Sequence, residues 1–189
     1  TKLSIVSKYE IEKATRHQLP LKPDNWFVRQ FDLKRAVLEV ELSRKRGKNL
    51  LVFNTHLTAF AGESDVRKRQ IDEISSLLTE RENEGLPWVL GGDFNLRPPG
   101  TENGRGQVIK PFFENYRAVP GYEEVNGPNS EEWYTHFPND PKIKEPDKTI
   151  DYFFLSGKLG LGEHYVRRKD TLDISDHLPL VAEVNLSGK

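Results

Sequence analysis

Pro87-Trp88-Val89-Leu90-Gly91-Gly92-Asp93-Phe94-Asn95 is the stretch on which the reading of this chain turns. The apolar run from Pro87 to Leu90 has the length and composition of a short buried strand. The two glycines allow a sharp exit and a close backbone approach. Asp93 and Asn95 lie two residues apart, so on an extended strand end they share a face. A carboxylate beside a neutral amide suits a phosphate ester held near a cation. The first can hold or polarise a water, and the second can donate to a phosphate oxygen. The same residues also suit a strand running into an Asx-type turn.

Three further segments have the same form, a polar cluster at the edge of an apolar run. Leu50-Leu51-Val52-Phe53 ends in Asn54-Thr55-His56-Leu57. Ile150-Asp151-Tyr152-Phe153-Phe154-Leu155 is a buried-strand pattern with one carboxylate near its start. Ser175-Asp176-His177 sets an acid and an imidazole side by side before a last apolar run, Leu178-Pro179-Leu180-Val181. Each alone reads as a turn or a hydrogen-bonded structural residue. Four such clusters in one order are hard to produce by chance.

That order, NTHL then GGDFN then IDY then SDH, resembles the endonuclease/exonuclease/phosphatase superfamily. Its members include deoxyribonuclease-like nucleases, abasic-site endonucleases, neutral sphingomyelinases, deadenylases and inositol-polyphosphate phosphatases. GDFN and SDH are the specific motifs, with NTHL and IDY in support. The resemblance runs from Ile5-Val6-Ser7-Lys8-Tyr9-Glu10-Ile11, similar to a strand of the family, to the last strand. It implies an α/β (α+β) fold: a deoxyribonuclease-like two-sheet β-sandwich flanked by helices, with the four segments converging at one end. Family members also carry an Asn and a metal-binding Glu ahead of the strand matched by Ile5 to Ser7. This chain begins at Thr1. The expectation is therefore a single domain over 1–189, truncated at its N-terminus and lacking N-terminal strands, with Glu10 and Glu12 following the matched strand. An exposed sheet face would then favour self-association.

In-line attack of water on a phosphoester needs a base, cations against the developing charge, and help for the leaving oxygen. His177 suits the acid/base role, since its ordinary pKa lies near neutrality. The resemblance pairs Asp151 with it. Asp176 is the better metal or water ligand, and Asp93 would orient the water and also touch the metal. Asn95 would bind a phosphate oxygen, with His56 as a second imidazole at phosphate or leaving group. Asn54 of NTHL and Arg69 of Arg69-Gln70 join Asn95 as candidate substrate contacts, although a structural role is the simpler reading of Arg67, Lys68 and Arg69. His136 matches no core motif and reads as an exposed loop residue, and His17 and His164 as surface residues. The cofactor implied is Mg²⁺ (or Mn²⁺).

The implied activity is that of a metal-dependent phosphoesterase acting on a phosphodiester or phosphomonoester, in nucleic acid, a phospholipid headgroup or a phosphorylated small molecule. The alternative is a non-catalytic binding or scaffold domain of the same fold, for which the missing Glu and Asn speak. Ile150-Asp151-Tyr152-Phe153 departs from the Trp-Cys-Asp-Arg segment of the inositol-phosphatase branch. Leu96-Arg97-Pro98-Pro99 departs from the abasic-endonuclease pattern.

Composition sets outer bounds. The 189 residues suit one domain, with 35% hydrophobic and 30% charged residues and a mean hydropathy of −0.67. No apolar run approaches the roughly 20 residues of a membrane span. With no cysteine, disulfides and thiolate metal sites are excluded. Metal ligands must be oxygen or imidazole, which favours Mg²⁺ or Mn²⁺ over structural zinc. A net charge of −1 argues mildly against unspecific binding to long nucleic acid.

Along the chain, strands are expected at Leu3–Ser7, Ala36–Leu42 and Leu50–Asn54, the last two joined as a hairpin by the solvated turn Arg44-Lys45-Arg46-Gly47-Lys48. A helix capped by Ser64 or Asp65 carries the stripe Val66, Gln70, Ile71, Ile74, Leu77 and Leu78, and Gly85 ends it. Leu19 to Asn25 and Arg97 to Gln107 read as loops, and Val108 to Tyr116 as a short helix. A long irregular loop is expected from Gly121 to Lys148, broken by Trp133-Tyr134-Thr135-His136-Phe137 and carrying Lys142, Lys144 and Lys148.

Overall fold

The computed structural model describes residues 2–21, 34–59, 65–100, 106–137, 145–171 and 174–186. Expectations for Ser64, Lys142, Lys144, residues 22–25 of the Leu19–Asn25 loop and residues 101–105 of the Arg97–Gln107 loop lie outside these residues. The chain divides into two compact units, Thr1–Asn95 and Leu96–Lys189.

The first unit holds a sheet in the order β1-β2-β3-β4. Its strands are β1 (Ile11–Gln18), β2 (Ala36–Leu42), β3 (Leu50–His56) and β4 (Trp88–Asp93). β1–β2 and β2–β3 are antiparallel, the second pair closing the expected hairpin around an exposed basic turn. β3 and β4 run parallel, which requires a crossover, and the helix α1 (Val66–Asn83) supplies it. Val66, Gln70, Ile71, Ile74 and Leu78 of the anticipated stripe are buried. Together with Val37, Leu51, Phe53, Trp88 and Leu90 they belong to the core. Gly85, at φ 74°, ends the helix as expected. Asp65 stands at the N-cap but makes no capping bond. Its carboxylate binds Arg69 Nε at 2.9 Å instead.

Two expectations for this unit fail. Leu3–Ser7 is not a strand; the sheet edge is β1, which begins only at Ile11 and includes Glu12. β1 is almost wholly exposed and rich in charge, so it carries no apolar pattern; Lys and Arg on an edge also discourage pairing with other chains. His17 is not a plain surface residue. It bonds Glu39 at 2.5 Å, and Arg81 Nε of α1 donates to the same carboxylate at 3.0 Å. These bonds let the Glu39 carboxylate lie buried within β2.

The second unit contains α2 (Lys110–Asn115), β5 (Arg117–Val119), α3 (Tyr122–Asn126), a 3₁₀ turn (Ser130–Trp133), β6 (Asp151–Leu155), β7 (Gly160–Val166) and β8 (Leu180–Asn185). β5 pairs with β6 and β7 with β8, both antiparallel, the latter forming a small two-stranded sheet. Phe112 and Phe154 meet edge to face at 5.0 Å in its core. Tyr152 buries its ring and sets its hydroxyl 3.0 Å from both the Leu96 and Thr149 carbonyl oxygens, which share its one proton. The region from Gly121 to Lys148 is not irregular throughout. α3 forms because Glu124 accepts the Gly121 amide at 2.6 Å, satisfying an otherwise orphaned donor. His164, expected on the surface, is half-buried: it bonds Glu124 at 2.9 Å and stacks on Trp133. The chain is thus a mixed α/β fold.

Candidate functional site

In the first unit a polar cluster lies where β3 and β4 end, apart from the Glu39 network. The parallel register sets His56 beside Asp93 at the carboxyl ends of β3 and β4. Their side chains meet at 3.3 Å, His56 Nε2 to Asp93 Oδ2, both partly buried. Gly92 makes this approach possible. At φ 150° it lies against Thr55 of β3, and a Cβ there would stand 2.0 Å from the Thr55 carbonyl oxygen. The strand ends at Asp93, and Asn95 follows in a left-handed conformation (φ 52°). The expected extended end, with Asp93 and Asn95 sharing a strand face, is therefore replaced by the Asx turn. Asn95 N donates to Asp93 Oδ1 at 2.8 Å and Asn95 Nδ2 to Asp93 Oδ2 at 3.0 Å. The turn joins the carboxylate and the amide more tightly than a strand would.

Buried Gln70 of α1 anchors the segment after His56. Its Oε1 accepts the Thr58 amide, and its Nε2 donates to Thr58 Oγ1 and the Pro20 carbonyl. Arg67 reaches the Asn95 carbonyl at 3.0 Å. All three expected substrate contacts have protein partners: the Asn95 amide donates to the Leu57 carbonyl at 3.2 Å as well as to Asp93. Asn54 Nδ2 donates to the Ser4 carbonyl at 2.9 Å, and Arg69 is held by Asp65 and the Leu21 carbonyl.

The second unit presents another cluster. His177 Nδ1 lies 2.8 Å from Asp151 Oδ2, and Thr135 Oγ1 donates to the same oxygen at 2.6 Å. An ionised carboxylate only accepts, so Nδ1 carries the proton and Nε2 is left as the basic nitrogen. The backbone fixes this geometry. Thr135 and His136 donate their amides to the Lys148 carbonyl, at 2.9 and 3.1 Å. On the other side, Phe137 N donates to the Asp176 carbonyl at 2.9 Å and Leu178 N to the Thr135 carbonyl at 2.7 Å. One short segment therefore ties the chain leading into Asp151 to the loop carrying His177. Asp176 is exposed.

His136 corrects the expectation of an exposed loop residue. It is 9% exposed, and its ring packs edge to face on His177 at 4.6 Å. Its Nδ1 has no hydrogen-bond partner among the described residues, at a cost of about 1–3 kcal/mol for such a buried group. Burial first, then the charges of Lys148 and His177, push its pKa down, so the imidazole is neutral at neutral pH. The sequence reading missed Thr135 and misplaced His136. The available signal was a Thr-His pair flanked by Trp133, Tyr134 and Phe137, an aromatic knot too apolar for an open loop.

A sequence model of the endonuclease/exonuclease/phosphatase family matches residues 1–177. The chain belongs to that family. No curated protein matches it by sequence. Among solved structures similar to this family member is an endonuclease/exonuclease/phosphatase from Beutenbergia cavernae, at 23% identity and a TM-score of 0.67. That match covers 96% of this chain and 47% of the other. The human Nocturnin catalytic domain is similar at 20% identity and a TM-score of 0.65, covering 94% and 60%. A Bacteroides thetaiotaomicron mannosyl-6-phosphatase is similar at 20% identity and a TM-score of 0.58, covering 94% and 67%. At these identities the likeness speaks for the fold. The chain spans about half the length of the first of these structures and three-fifths of the second. No helix among the described residues is long and apolar enough to cross a membrane.

Proposed function

We propose that this chain is the part of a metal-dependent phosphoesterase that carries its proton-transfer pair, and that it hydrolyses its ester by in-line attack of water. The observation that carries the reading is the Asp151–His177 bond, with Thr135 on the same carboxylate oxygen. That arrangement fixes the imidazole tautomer, orients the ring and stabilises the imidazolium formed when Nε2 takes a proton. Asp93, locked by the Asn95 turn, suits the holding of a water. His56 suits a phosphate oxygen or the leaving group. Asn54 and Arg69 remain proposed as substrate contacts only if substrate displaces their present partners. Family membership supports a phosphoric ester hydrolase, and a phosphatase among the structural neighbours points the same way.

Members of the family use divalent metals. In each unit taken by itself the donor chemistry fits Mg²⁺ or Mn²⁺: exposed Asp176 is an available carboxylate in the second, and Asp93, already accepting two bonds from Asn95, is an oxygen donor in the first. When bound, the cation would neutralise charge developing on the phosphate oxygens.

The test is hydrolysis of a chromogenic phosphodiester and phosphomonoester with Mg²⁺, comparing the full-length protein with its Asp151→Asn variant. The variant is expected to keep its fold and lose kcat by roughly 10³–10⁴-fold, as a wrong-tautomer substitution does. Equal kcat would remove Asp151 and the proposed pair from the mechanism. Plasmid DNA, RNA, sphingomyelin and phosphorylated sugars would then sort the substrate class.

A further inference from the structure

The second unit groups buried His136 with two residues that already have roles in the phosphoesterase reading, Asp176 and His177. His136, Asp176 and His177 each offer a ligand atom, and these atoms lie within 4.8 Å of one another. The set is two imidazoles and one carboxylate. Such a nitrogen-rich set suits a borderline-soft cation such as Zn²⁺, whereas Mg²⁺ takes oxygen ligands almost alone.

Three observations prepare this set for an ion. His136 is buried, with Nδ1 unpartnered among the described residues, so part of its donor capacity is not spent on the protein. His177 is oriented through Nδ1 by Asp151, the carboxylate–histidine arrangement that supports metal-bound imidazoles. The two chain segments are fixed together by an isolated backbone bridge between His136 and His177 and by the Phe137 to Asp176 hydrogen bond. Zinc bonds of about 2.0–2.1 Å bring tetrahedral donors to about 3.3 Å apart. Donors up to 4.8 Å apart must therefore close by up to about 1.5 Å, and the exposed Asp176 side chain can approach the two imidazoles.

We propose that His136, Asp176 and His177 form a binding site for Zn²⁺ or a cation of similar softness, with three protein ligands and a remaining position for solvent. One consequence rests on the phosphoesterase reading. An ion on the basic nitrogen of His177 takes the lone pair that would accept a proton, so loading this site silences hydrolysis instead of supporting it.

The experiment is a titration of Zn²⁺ into the whole chain, by calorimetry and equilibrium dialysis in excess Mg²⁺. Co²⁺ serves as a second probe, read by its visible absorption. One equivalent is expected to bind to the native chain. Asp176→Asn and His136→Phe should each weaken binding at least tenfold with unchanged far-UV circular dichroism. Asp176 is exposed, so that variant keeps the test valid even if His136→Phe fails to fold. Zinc inhibition of hydrolysis by the native chain should saturate at the same one equivalent. No stoichiometric binding, or equal binding by the native chain and Asp176→Asn, would overturn the site. Binding in the expected order by a protein inert towards every phosphoester would support the site and remove the phosphoesterase reading.

Discussion

Replacing Gly92 by alanine tests the backbone that sets Asp93 beside His56. The added Cβ would stand 2.0 Å from the Thr55 carbonyl oxygen and 2.9 Å from its carbon, both backbone atoms of the paired strand. Contacts below 3.0 Å are essentially unknown for real Cβ atoms. β3 and β4 would therefore have to part by about 1 Å where Thr55 pairs with Gly92. Overpacking of this kind costs about 1–3 kcal/mol, and holding an L residue at φ 150° adds about 1–3 kcal/mol. The expected loss is thus about 2–6 kcal/mol, against a typical domain stability of about 5–15 kcal/mol. Urea unfolding followed by circular dichroism measures it. Gly47→Ala is the internal control. Gly47 also has a positive φ, but its added Cβ would meet only the flexible Arg44 side chain, at 3.6 Å, so about 1 kcal/mol is expected. If Gly92→Ala unfolded within 1 kcal/mol of the native chain, the close strand approach, and with it the argument for why glycine precedes Asp93, would be wrong.

Thr135→Val keeps the shape of the side chain but deletes the hydroxyl that shares Asp151 Oδ2 with His177. We expect kcat to fall roughly 10–100-fold with KM little changed, and Thr135→Ser to recover most of it, by analogy with the loss of carboxylate partners elsewhere. A KM effect alone in steady-state kinetics would assign Thr135 to substrate binding instead. Arg81→Leu leaves the buried Glu39 carboxylate with His17 but without its guanidinium. The expected loss is about 3 kcal/mol in urea unfolding, most of it recovered by adding Glu39→Leu. A loss below 0.5 kcal/mol, the level of an exposed pair such as Lys68–Asp72, would show the network to be solvated.

Much of the first unit could be read from sequence because its strands and helix bury one face each. The alternation of apolar and acidic residues in β2, the apolar run of β3, the stripe on α1 and the glycines before Asp93 all report burial directly. β1 could not be read that way: an exposed edge strand is held by backbone bonds that leave no apolar trace, and the apolar run Leu3–Ser7 drew the assignment to the wrong place. Of the candidate residues, Asp93, Asn95, Asp151 and His177 were legible through motifs, and the structure pairs Asp93 with Asn95 and Asp151 with His177. Thr135 and His136 were not, because their roles depend on a tertiary pairing between segments more than ten residues distant in sequence. The Asx turn was visible as an alternative, but sequence could not choose it, since a strand end and a turn ask for the same residues.

The segment from Thr135 to Phe137 has both backbone edges occupied, one by Lys148 and the other by the Asp176–Leu178 loop. An acid and an imidazole that lie 26 residues apart in sequence thereby share a splint three residues long. Such a splint makes local opening cooperative: releasing it loosens both partners together, and neither can drift while it holds. Sequence change in this region is constrained accordingly. Side chains on the segment can vary in size only as far as both flanking chains move in step, so tolerated substitutions here should come in correlated sets.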